Sequence, residues 1–117
     1  MSSASELARR NLFEVFGERD PATRARAGDE IYATDVAFHD PDGTVRGPAA
    51  VVAKAGALLD GAPGFVFTLH RVRENPAGLS VLDWRFGPAD GDPVVTGTDV
   101  VQVTDGRIST LHTLLDG

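Results

Sequence analysis

The chain is expected to fold as an α+β domain, with three N-terminal helices covering one face of a cone-shaped, curved antiparallel sheet. Two observations lead there. Apolar residues recur at helical spacing through the first half of the chain, then alternate with a period of two from Phe65 onward. The second half is also punctuated by turn residues that fold it into a meander, and helices followed by a run of strands is an α+β pattern. A length of 117 residues gives room for a single domain, residues 1–117, with one core.

The first helix is expected over Ser5 to Phe16, where Leu7, Leu12, Phe13, Val15 and Phe16 recur between Glu6, Arg9, Arg10 and Glu14. Gly17 closes it, and Asp20-Pro21 restarts the chain with a capping residue and a proline at the first helical position. The second helix runs to about Thr34, anchored by Ile31 and Tyr32. Val36 to Asp40 reads as a short strand ending in the turn Pro41-Asp42-Gly43. Ala49 to Leu59 is the third helix, with Val51, Val52, Ala55, Leu58 and Leu59 available for burial, and Gly61-Ala62-Pro63-Gly64 ends it. Four strands follow: Phe65 to the Asn75-Pro76-Ala77-Gly78 turn, Leu79 to Phe86, Val94 to Thr104, and Arg107 to Leu115. A loop at Gly87 to Pro93 and a tight Asp105-Gly106 hairpin join the last three.

Composition removes several classes of function. There are no cysteines, so disulfides, thiolate metal sites and cysteine nucleophiles are ruled out. The net charge of −6 repels phosphate backbones, and no basic stretch offsets it, so no nucleic-acid partner is expected. No apolar run reaches the roughly 20 residues of a membrane span, and the N-terminus lacks signal-peptide features, so no membrane partner and a cytoplasmic location are expected. His39, His70 and His112 lack metal-ligand spacing. Gly87, Gly91 and Gly97 are scattered around a strand connection and open no phosphate-binding helix. No metal and no cofactor are expected.

Three segments carry a resemblance: Gly17-Glu18-Arg19-Asp20-Pro21 between the first helices, Phe38 to Gly43 at the first strand's end, and Gly97 to Val101 with Asp105 to Ile108 at the last hairpin. In this order they resemble the nuclear transport factor 2-like superfamily, a cystatin-like roll, and in particular its SnoaL-like branch. The resemblance covers nearly the whole chain. It implies a cone with an apolar pocket, and a homodimer formed through the outer sheet face. Its members span ketosteroid isomerases, polyketide cyclases, epoxide hydrolases, dehydratases and non-catalytic modules, so the fold does not select an activity.

Two acids are candidate catalytic residues. Alternation puts Asp40 on the face of Val36 and Phe38, where low dielectric would raise its pKa and suit it to abstract a proton beside a carbonyl. Its position before proline matches the base of the ketosteroid isomerases; the alternative is that it opens the Pro41-Asp42-Gly43 turn. Asp99 alternates onto the face of Val101 and Val103. The resemblance implies a protonated acid there that donates to an enolate; the alternative is an aspartate satisfied by Thr96, Thr113 or a backbone group. The isomerases add a tyrosine from the first helix, where this chain offers Leu12, Phe13 and Phe16. Its one tyrosine, Tyr32, is expected to line the pocket from the second helix.

Phe13, Phe16, Phe38, Leu58, Phe65, Phe67, Trp84, Val101, Leu111 and Thr113 complete the expected walls. His112 faces the outer sheet if Leu111, Thr113 and Leu115 face inward, and becomes a pocket base if a bulge flips the register. Asp83 and Arg85 are reminiscent of a catalytic cluster in limonene epoxide hydrolases, but alternation points them away from Asp99, to a paired role on the outer face. The function expected is isomerisation or cyclisation of a small apolar carbonyl compound by acid–base enolisation. The alternative is a non-enzymatic ligand-binding or scaffold dimer.

Overall fold

A computed structural model describes residues 2–116. Helix α1, Ala4–Arg10, starts at Ser3, whose hydroxyl accepts from the Glu6 N–H at 3.1 Å. It continues into a π-helical segment, Asn11–Phe16. Leu7, Ala8, Asn11, Leu12 and Val15, spaced three and four apart, form the buried face, and Phe13 on the opposite side is 45% exposed. Helix α2, Pro21–Ile31, starts as expected, with the Asp20 carboxylate accepting from the Thr23 N–H at 2.8 Å.

α2 ends before Thr34, because Tyr32 already has extended backbone at φ −95° and ψ 142°. Aromatic and β-branched residues from Tyr32 to Val36 favour a strand, and β1, Tyr32–Asp40, finds a partner for them. The Pro41-Asp42 turn leads into a second strand that the turn signal had hidden, β2, Gly43–Arg46, paired antiparallel with β1. Helix α3 spans Pro48–Asp60. The remaining strands are β3, Phe65–Glu74; β4, Leu79–Pro88; β5, Val95–Thr104; and β6, Arg107–Leu115.

These strands form one six-stranded sheet in the order β2-β1-β6-β5-β4-β3. It is mixed rather than wholly antiparallel, because β1 runs parallel to β6, with Phe38 beside Leu111 and His39 beside His112. Register shifts between Leu69 and Arg71 and between Gln102 and Val103 add local bend and twist to the sheet. The core lies between the helices and the inner face, with Leu12, Val15, Ile31, Val36, Val51, Leu82, Val101, Ile108 and Leu111 all nearly or fully buried.

Two arginines tie the helical layer to the sheet. Arg19 donates to the carbonyls of Leu59 at 2.9 Å, Ala62 at 2.7 Å and Phe65 at 2.8 Å, joining the linker before α2 to the end of α3 and the start of β3. Arg107 on β6 donates to the carbonyls of Asp29 at 2.6 Å and Tyr32 at 3.2 Å, fastening the α2–β1 junction.

Candidate active site

The concave face of the sheet and the helices enclose a cavity of about 840 Å³. Leu12 and Phe16 enter it from the π-helical segment, Ala53, Lys54, Ala57 and Leu58 from α3, and Phe38 and Asp40 from the end of β1. Phe65, Phe67, Trp84, Phe86 and Val95 supply the sheet wall, with Asp99, Thr113 and Leu115 beside them. Many apolar groups with a few convergent polar ones is the usual make-up of a small-molecule site.

Asp99 is the most enclosed charge-bearing group of this wall, at 5% exposure. Its Oδ1 accepts from Trp84 Nε1 at 3.0 Å and from the Thr113 hydroxyl at 2.7 Å. Asn11 Nδ2 makes a long contact with Oδ2 at 3.5 Å. Burial pushes the Asp99 carboxyl up, and the Thr113 and Trp84 donors pull back toward the charged form, leaving it at about 6. At neutral pH Asp99 is therefore mostly ionised, but close enough to neutrality to exchange a proton readily.

The approach of Trp84 depends on Gly97, its register partner on β5. The indole lies against the glycine, where a Cβ would fall 2.4 Å from the ring and 2.7 Å from the Leu114 carbonyl oxygen. Phe67 meets Trp84 edge-on at 5.3 Å between ring centroids, further fixing the indole.

Asn11 is fully buried, and its Oδ1 accepts from the Tyr32 hydroxyl. That bond turns the amide so that Nδ2 faces Asp99. Tyr32 is thus not a wall residue on α2; it opens β1 in the core and reaches Asp99 through Asn11. Burial, with Asp99 nearby, holds its hydroxyl protonated well above the usual phenol range. Asn11 was missed in the sequence, although the signal was there: it is a polar residue within the buried Leu7, Ala8, Leu12, Val15 stripe.

Asp40 reaches the cavity as alternation predicts, but it is already engaged. Its Oδ2 accepts from Lys54 Nζ at 2.7 Å, and its Oδ1 accepts from the Asp42 N–H at 2.9 Å, so the turn-opening role is real. Asp42 adds a second carboxylate 3.5 Å from Lys54 Nζ. The hydrogen bond and charge of Asp40 raise the Lys54 ammonium above the ordinary lysine value. Lys54 was also missed, although it is the one charged side chain in α3 before Asp60.

Phe16, Phe38, Leu58, Phe65, Phe67, Trp84 and Thr113 all line the cavity as expected. Besides Tyr32, three others do not. Phe13 lies on the side of the helix opposite the buried Leu7, Leu12 and Val15, while Val101 and Leu111 are fully buried in the core. His112 faces the outer sheet despite the bulge between Gln102 and Val103, and stacks on His39 with ring centroids 4.5 Å apart. Asp83 also lies on the outer face, where Thr98 donates to it at 2.7 Å and Arg71 and Arg73 approach at 3.6 and 3.9 Å, rather than Arg85.

A family model for the SnoaL-like domain matches residues 10–111. The chain belongs to the SnoaL-like domain family. A solved protein from Agrobacterium tumefaciens str. C58, named as a proposed isomerase of the SnoaL-like family, is 28% identical over the full length of both chains, with a TM-score of 0.89. A proposed SnoaL-like polyketide cyclase from Jannaschia sp. CCS1 is 16% identical, with 97% of this chain and 85% of that one covered and a TM-score of 0.79. A proposed ketosteroid isomerase from Kribbella flavida is 19% identical over 97% and 78% of the two chains, with a TM-score of 0.72. At these lower identities the likeness is one of fold. No curated protein matches the chain.

Proposed function

We propose that this SnoaL-like domain is an isomerase or cyclase that moves a proton beside the carbonyl of a small, mostly apolar compound held in the cavity. The observation that carries this reading is Asp99, a nearly buried carboxylate in a mostly apolar cavity, held by Trp84 and Thr113, which burial pushes up to about 6. In this scheme Asp99 takes a proton from the carbon next to the carbonyl and returns it, either to another carbon of the enolate or to the alkoxide formed when the enolate carbon adds to a second carbonyl of the same molecule. This departs from the roles expected from the resemblance. A carboxyl at about 6 serves as a base at neutral pH rather than as a standing donor, and Asp40, the expected base, is paired with Lys54. Lys54, the one basic group in the cavity lining, already carries Asp40 at 2.7 Å and Asp42 at 3.5 Å, so the scheme gives it no contact with the enolate oxygen.

Solvent exchange tests the reading without knowledge of the natural product. A panel of cyclic ketones is incubated in deuterated buffer, and loss of the proton signal beside the carbonyl is followed by NMR. The protein should accelerate exchange, the rate should rise through about pH 6, and Asp99→Asn should lower it about a hundredfold or more. Equal exchange by Asp99→Asn overturns the reading.

The engagement of Asp40 by Lys54 favours a second reading, a binding module without turnover. Ketone binding with no exchange above the buffer rate would select it.

A further inference from the structure

The charges around the cavity are uneven. Asp40, Asp42 and Asp99 all line it, whereas Lys54 is the one basic residue among its lining groups. Lys54 is flanked by both mouth carboxylates, at 2.7 and 3.5 Å. Arg19 lies nearby, but its guanidinium donates to the carbonyls of Leu59, Ala62 and Phe65.

We infer that the cavity selects its ligand by charge: it takes apolar compounds whose polar end is neutral or a protonated amine, and excludes those ending in a carboxylate or phosphate. The inference rests on the cavity being the binding site, as in the proposed function, but not on any proton transfer there. An anionic end placed toward Asp99 would face an ionised carboxylate behind apolar walls, where like charges are poorly screened. Placed at the mouth, it would have to displace Asp40 from Lys54 and then lie beside two carboxylates. A ketone meets neither penalty. An ammonium gains Asp99 as counter-ion, in a lining that also includes the aromatic side chains of Phe67, Trp84 and Phe86.

The test uses three compounds with one skeleton: menthone, menthylamine and the matching menthane carboxylate, at about pH 8, where the acid and the amine are both charged. Trp84 is the one tryptophan in the chain and lines the cavity, so its emission reports occupancy, with calorimetry as a check. Ketone and amine should bind, and the carboxylate should bind at least about tenfold more weakly than either. The Asp40→Asn, Asp42→Asn double variant, once its melting is shown to match the parent, leaves Lys54 without its carboxylates. Relative to the ketone measured on the same variant, carboxylate binding should improve by about tenfold. A carboxylate that binds the parent as tightly as the ketone overturns the inference, and so does a double variant that gains nothing. Failure of all three to bind overturns it too. The charge order can hold when no exchange is catalysed, which separates this result from failure of the proposed chemistry.

Discussion

Asp99 gathers a side chain from each of several elements: Asn11 from the π-helical segment, Trp84 from β4 and Thr113 from β6. Its proton affinity links the site to stability. Because the folded-state value is raised from 3.8 to about 6, the native state holds this proton more tightly than the unfolded chain does. Its stabilising contribution is full below about pH 4 and is lost as pH rises through about 6. At about 1.36 kcal/mol per pKa unit, that is about 3 kcal/mol. Asp99→Asn cannot titrate. Urea unfolding should therefore show wild-type stability, relative to the variant, falling by about 3 kcal/mol between about pH 3 and pH 8. A difference that stays flat with pH would mean that ionised Asp99 is as well solvated as in the unfolded chain.

At the scale of elements, the β4–β5 pair positions the site through a glycine. Gly97 lets the Trp84 indole lie close enough to reach Asp99, two residues further along β5. Gly97→Ala forces the ring or strand to move, and overpacking of this kind costs about 1–3 kcal/mol. The variant should melt lower and shift Trp84 emission as the indole loses its Asp99 partner. An unchanged spectrum and melting point would show that the indole has room to spare.

The elements also show what a sequence can and cannot disclose. The three helices, the last four strands and the inward faces of Phe38, Asp40 and Asp99 were legible, because each follows from periodicity bounded by turns. The β1–β6 pairing was not. It joins residues distant in sequence, and nothing local to Tyr32 or Ile108 marks a parallel partner. Lys54 and Asn11 were overlooked for a related reason: amphipathic reading assigns charge and amide to solvent, whereas these two point toward groups from other elements. The outward side of Phe13 was legible in principle, since the three-and-four spacing of Leu7, Leu12 and Val15 places it on the opposite side of the helix.

At the scale of the whole molecule, the cavity depends on how the helical layer is fastened to the sheet. Arg19 secures the rim where α3 ends and β3 begins, near Gly61, Ala62 and Phe65 of the lining. Hydrogen bonds from a charged donor contribute about 1.5–3 kcal/mol each when shielded, and less here because the side chain is exposed. Arg19→Ala should therefore lower global stability only modestly. Hydrogen exchange should accelerate selectively over residues 59–65, leaving β5 and β6 protected. Uniform acceleration would mean that the rim is not a separate unit.

The parallel seam between β1 and β6 bears on how the protein is made. Arg107 and Tyr32, which meet at that seam, are separated by 75 positions in the chain. A nascent polypeptide leaving the ribosome carries β1 with only the four-residue β2 for company until β6 emerges. Throughout that interval one long edge of β1 is open to unwanted pairing. Completion of the sheet, and of the wall that holds Asp99 and Thr113, must wait for β6 to be translated.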